Sequence, residues 1–243
     1  MRTDEPRVVL ALDLPSMAEA RRLAVAVRDA VGMLKVGLEL FTEAGPAALD
    51  IGREAERPIF LDLKLCDIPQ TVDRAVARAC ALGARVLTVH ASGGAAMLGR
   101  AVERAAKEAT GLVIAAVTVL TSLDAGDLAR LGVSASVTSH ARKLGRLAAA
   151  EGVRAFVCSP QEVRVMRREL GWEVTLFTPG VRPSGAEVGD QKRVATASKA
   201  VEEGADWVIV GRPIRDAADP LAAARAIGAE VVSARERAIG ARP

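Results

Sequence analysis

The sequence predicts a single-domain (β/α)8 TIM barrel, and three observations carry the prediction. Short apolar runs recur along the chain, each followed by an Ala-, Arg- and Glu-rich segment with helical spacing, which is the rhythm of β-α units with parallel strands. The runs are continuously apolar rather than alternating, as expected for strands buried on both faces. There are eight runs in 243 residues, a number and a length that suit a closed barrel better than an open doubly wound sheet.

Taken in order, the strand candidates are VVLALDL (8–14), MLKVGLEL (33–40), PIFLDLK (58–64), RVLTVHA (85–91), LVIAAVTVL (112–120), RAFVCS (154–159), EVTLFTP (173–179) and DWVIVGR (206–212). The first helix candidate, SMAEARRLAVAVRDA, opens on Ser16 as N-cap and sets Leu23, Val27 and Ala30 on one face with charged residues on the other. Arg164, Arg167 and Arg168 read as a solvated helix face. The longest irregular connection is TPGVRPSGAEVGDQKRVAT (178–196), whose Pro and Gly content excludes a regular element. Residues 1–243 are expected to form one domain, with the charged C-terminal tail fraying from about 233.

Composition narrows the function. Half of the residues are hydrophobic and 26% are charged, so the chain can bury a sizeable core. A net charge of +3 from interspersed residues, with no Tyr, four Phe and two Trp, offers neither a basic arm nor a base-stacking platform, so no nucleic-acid partner is expected. Cys66, Cys80 and Cys158 lack CxxC spacing and are odd in number, which fits reduced thiols in a cytoplasm. No signal peptide and no membrane span are expected.

In a barrel of this kind the site lies at the carboxyl ends of the strands. The residues there are Asp13, Lys35, Asp62, Lys64, Asp67, His90, Thr121, Ser122, Arg182, Gln191 and Arg212. Strand alternation projects Asp62 and Lys64 to one side, and Asp67 follows where the chain turns. Asp13 and Lys35 extend this cluster into an alternating chain of charges, in which each ion needs the others to remain charged in a low-dielectric mouth. By spacing alone, Asp-x-Lys-x-x-Asp fits a buried structural ion network as well as a catalytic one; its place at a strand end favours catalysis. His90 fits a site role and a hydrogen-bonded structural role equally.

The second constellation is VIVGRPI. Gly211 would let backbone N–H groups approach an anion and Arg212 would offer a bidentate fork, as in the phosphate site that such barrels build after strands seven and eight. The long loop beside it adds Arg182, Gln191, Lys192 and Arg193, donors suited to the same anion.

LALDLP, LKVGLEL, FLDLKLCDIPQTV, VTVLTS, TPGVRPSGAEVGDQKRVAT and ADWVIVGRPI together resemble the orotidine 5′-phosphate decarboxylase family over essentially the whole chain. The resemblance implies a cytoplasmic homodimer that converts orotidine 5′-monophosphate (OMP) to uridine 5′-monophosphate (UMP) and CO2 in de novo pyrimidine biosynthesis, with no metal or organic cofactor. It implies Lys64 as the proton donor, Asp62 beside the departing carboxylate, and Asp67 and Thr71 reaching into the partner subunit's site. Asp13 and Lys35 would hold ribose hydroxyls and the charge network. Thr121 and Ser122 would meet the pyrimidine, with Ile68 and Pro179 also against the substrate. Arg182, Gln191, Gly211 and Arg212 would close on the phosphate. Cys66, inside the charged stretch, reads as a small packing residue. The alternatives are a Mg-dependent phosphosugar lyase or synthase of the same barrel group, and a non-catalytic nucleotide-binding protein.

Overall fold

Each of the eight apolar runs supplies one strand. In a computed structural model, which describes residues 6–182 and 193–240, these strands are β1 (Val8–Ala11), β2 (Met33–Val36), β3 (Ile59–Leu65), β4 (Val86–His90), β5 (Val113–Val117), β6 (Ala155–Val157), β7 (Thr175–Thr178) and β8 (Trp207–Val210). All pair in parallel in chain order, and β8 pairs back onto β1, so the sheet closes into a TIM barrel with no free edge. The helices are α1 (Met17–Val27), α2 (Leu38–Ala44), α3 (Asp50–Glu54), α4 (Pro69–Ala81), α5 (Ala95–Glu108), α6 (Ala125–Arg130), α7 (Val137–Ala150), α8 (Val163–Leu170), α9 (Ala197–Glu202), α10 (Arg212–Arg215) and α11 (Pro220–Gly240).

Alternation divides each strand between two cores. Val8, Leu10 and Leu12 pack outward with Leu34, Leu61 and the helix faces, whereas Val9, Ala11, Met33, Phe60, Val86 and Ile209 face the barrel axis. The lower interior is plugged by aromatic rings: Phe60 meets Phe177 edge-on at 5.0 Å, and Phe177 stacks on Trp207 at 6.1 Å. The Arg7 guanidinium lies over the Trp207 ring at 4.8 Å. Burying each such ring is worth ~1.5–3 kcal/mol, so this plug holds the sheet closed beneath the mouth.

Local signals set the helix starts. Pro69 occupies the first turn of α4, where its missing N–H costs nothing. Asp124 and Asp127 form a reciprocal capping box at α6, and Thr196 caps α9 through the Lys199 N–H.

Several expectations change. The second half of MLKVGLEL is helix α2, because Gly37 breaks the strand and Leu38 and Glu39 turn outward. Arg167 is not part of a solvated face: it is 5% exposed and donates to the carbonyls of Gly204, Gly171 and Val174 and to Asp206, satisfying loop carbonyls that would otherwise be buried without donors. Cys66 is exposed rather than packed. The terminal helix runs on past 233, because Val231 and Ala234 are fully buried and Arg237 pairs with Glu202 on α9. Among the described residues, no helix is long and apolar enough to cross a membrane.

Candidate active site

Ascending the barrel axis, the inward positions change from apolar to polar. Ala11 is followed by Asp13, Met33 by Lys35, Phe60 by Asp62, and Val86 by Thr88 and then His90. At the carboxyl ends of the strands lies a cavity of about 510 Å³. Asp13, Lys35, Asp62, Lys64, Thr121, Pro179, Arg182, Gly211 and Arg212 all line it, so strand termini distant in sequence converge there.

The charges form a continuous chain. Lys35 Nζ lies 2.8 Å from Asp13 Oδ1 and 3.4 Å from Asp62 Oδ2, and Lys64 Nζ lies 2.9 Å from Asp62 Oδ1. Burial by itself would lower the Lys35 pKa, but Asp62 and Asp13 outweigh it and hold the ammonium above its ordinary value. Burial likewise opposes ionisation of Asp62, and Lys35, Lys64 and the hydroxyl of Thr88 reverse it, keeping the carboxylate below its ordinary value. Burial and then Lys64 lower the pKa of His90 at the end of β4, which favours its neutral form. Gly37 makes room for this packing: a Cβ there would sit 2.7 Å from Asp13 Oδ1 and 2.9 Å from Lys35 Nζ.

Asp62 and Lys64 do not meet through simple strand alternation. The pairing of β3 with β4 slips between Leu61 and Leu65, and Lys64 has a left-handed backbone with φ of 49°. Thr88, fully buried on β4, accepts a 2.8 Å hydrogen bond from the Lys64 N–H and donates at 2.9 Å to Asp62 Oδ1.

The ends of β7 and β8 carry arginines. Arg182, 8% exposed, donates to the Val181 carbonyl, and Arg212 opens α10 immediately after Gly211. Arg193 is not available to an anion. It is buried against Glu162 and donates to the carbonyl of Leu120 at 2.9 Å, while Glu162 accepts the Ser159 N–H. It therefore ties the segment before α9 to the ends of β5 and β6.

Five of the expected site residues do not line this chain's own cavity, His90 at the end of β4 among them. Asp67, Ile68 and Thr71 are exposed around the start of α4, and Ser122 is exposed beyond β5. Asp67 Oδ1 accepts the Ile68 N–H at 2.6 Å. Gln191 and Lys192 lie outside the described residues. Among the described residues, no three His, Cys, Asp or Glu side chains are grouped as metal ligands.

Sequence reasoning missed two lining residues, Arg215 and Cys158, and the buried Thr88. Arg215 follows Arg212 by one helical turn and donates to the Asp13 carbonyl at 2.5 Å, a spacing readable in GRPIR. Thr88 shares the inward face with His90 in RVLTVHA, a polar interruption readable by alternation. Cys158 carried no signal; burial pushes its thiol up to about 12, so it is a neutral wall group.

Comparisons with known proteins identify the family. Residues 6–227 match the model of the orotidine 5′-phosphate decarboxylase / HUMPS family. An orotidine 5′-phosphate decarboxylase of Anaeromyxobacter sp. (strain K) is 52% identical over 223 residues, covering 92% of this chain and 97% of that protein. The enzyme of the same name from Thermobifida fusca is 50% identical, covering 92% and 95%. The crystal structure of orotidine 5′-phosphate decarboxylase from Lactobacillus acidophilus superposes with a TM-score of 0.79 at 32% identity, over 93% of this chain and 99% of that one. With the fold, the charged barrel mouth and relatives of matching length in agreement, the chain belongs to the orotidine 5′-phosphate decarboxylase / HUMPS family.

Proposed function

We propose that this chain decarboxylates OMP to UMP, without a cofactor, by protonation of a C6 carbanion from Lys64. The observation that carries the reading is the Asp13–Lys35–Asp62–Lys64 chain in a cavity that Arg182 and Arg212 also line. In this reading the phosphate of the nucleotide would lie at the arginines and its base at Lys64.

The bond from C6 to the carboxylate breaks, CO2 departs, and the electron pair stays on C6. An ammonium already oriented by a carboxylate at 2.9 Å stabilises that charge with little reorganisation. Lys64 then gives its proton to C6, yielding UMP, and regains one from water. Asp62 would border the leaving carboxylate, Asp13 and Lys35 the ribose hydroxyls, and Thr121, Ser122 and Pro179 the base. Gln191, Gly211, Arg182 and Arg212 would hold the phosphate, whose binding energy is remote from the reacting carbon and so can serve to exclude water.

The active form is proposed to be a homodimer with shared sites. Asp67 and Thr71 face solvent rather than their own cavity, and Ile68 between them is 66% exposed, a surface suited to a second copy of the chain. Its three cysteines are free thiols, which supports work in a reducing cytoplasm.

The test is the loss of orotate absorbance when the purified protein meets OMP, with and without EDTA. Turnover that survives the chelator is the expected result. No turnover, or turnover abolished by EDTA and restored by Mg2+, would favour the metal-dependent chemistry of the alternative reading.

A further inference from the structure

We propose that Thr88 is a positioning residue that sets the Asp62–Lys64 couple through its hydroxyl. The inference deepens the decarboxylase reading and rests on it for the identity of the reacting groups.

The argument begins with the ladder between β3 and β4. Leu61 pairs with Leu87 and Leu65 pairs with Val89, so β3 advances four residues while β4 advances two. The surplus forms a bulge that carries Lys64 in a left-handed conformation, φ 49°. Its N–H consequently has no partner in the ladder. Thr88 is the β4 residue opposite the bulge, fully buried and pointing inward, and its oxygen accepts that N–H at 2.8 Å.

The same hydroxyl has one hydrogen, and it goes to Asp62 Oδ1 at 2.9 Å. That oxygen is also the one within 2.9 Å of Lys64 Nζ. One side chain therefore fixes the backbone that aims the ammonium and the carboxylate that orients it. Each role needs a hydroxyl: valine has the shape but neither donor nor acceptor, whereas serine keeps both. The other charged or titratable groups facing Asp62 are Lys35, Lys64 and His90, and none of them reaches the Lys64 N–H.

The experiment compares Thr88→Val and Thr88→Ser with wild type in steady-state turnover of OMP and by carboxylate NMR titration of Asp62. Thr88→Val is expected to lower kcat roughly ten- to a hundredfold with KM little changed, to shift the acid limb of kcat to higher pH, and to raise the Asp62 titration. Thr88→Ser is expected to recover most of kcat and the wild-type titration. A valine variant with wild-type kcat and wild-type Asp62 titration overturns the proposal, as does a serine variant as impaired as valine. If the valine variant does not fold, Thr88→Ala carries the same two readouts. If wild type fails to turn over OMP, the functional reading falls and the NMR titration alone decides whether Thr88 holds Asp62.

Discussion

Replacing Lys35 by methionine keeps most of the buried stem and removes a cation shared by Asp13 and Asp62. In the wild type the Lys35 side chain is 9% exposed, with its ammonium 2.8 Å from one carboxylate and 3.4 Å from the other. Breaking a buried pair by deleting one partner costs about 3–5 kcal/mol. The lower end applies here, because Asp62 keeps Lys64 at 2.9 Å and the Thr88 hydroxyl at 2.9 Å. A loss of about 3 kcal/mol corresponds to a Tm fall of roughly 6–12 °C for a chain of this size. Its pH dependence has a definite sign. Asp62 is held below its ordinary value of 3.8, so its stabilisation is fully present above that value and disappears as pH falls through the depressed one. Lys35 is held above 10.5, so its contribution is fully present below that value and is lost only as pH rises through the raised one. Urea unfolding should therefore show a constant gap between wild type and Lys35→Met across the neutral range. The gap should narrow as the ordinary carboxylate range is passed on acidification. Equal urea midpoints at neutral pH, or a gap that persists unchanged after Asp62 is protonated, would refute the network as described.

Two further outcomes follow from the same site. Arg212→Ala should lower kcat/KM for OMP by roughly 10²- to 10³-fold through loss of a charged grip on phosphate, with the urea midpoint unchanged; near-normal kinetics would remove Arg212 from the site. Asp67→Ala and Lys64→Ala should each be inactive alone, yet hybrid dimers formed by subunit exchange should regain activity, since one of their two mouths carries both intact groups. Hybrids verified by mass spectrometry that stay inactive would sink the shared-site proposal.

The barrel was legible in the sequence because parallel strands buried on both faces write themselves as uninterrupted apolar runs, and eight of them occur. The gathering of Asp13, Lys35, Asp62 and Lys64 was legible for the same reason, since each interrupts or ends such a run. What local patterns could not carry was anything dependent on register. The bulge that turns Lys64 into the left-handed region depends on β4 slipping against β3, and a period-two reading contains no trace of it. Long arginines misled in the opposite direction. Arg167 read as part of a solvated face and Arg193 as a donor to an anion, but their guanidinium groups satisfy loop carbonyls and carboxylates inside the fold, a use visible only once those groups are brought together.

The most direct test of the central claim, that the Lys64 ammonium protonates C6, is the kcat of Lys64→Ala on OMP beside wild type, with UMP binding measured by calorimetry to establish an intact pocket. The account predicts a loss of at least ~10⁴-fold in kcat with UMP still bound. An alanine variant that binds UMP and turns over OMP within roughly tenfold of wild type would contradict it.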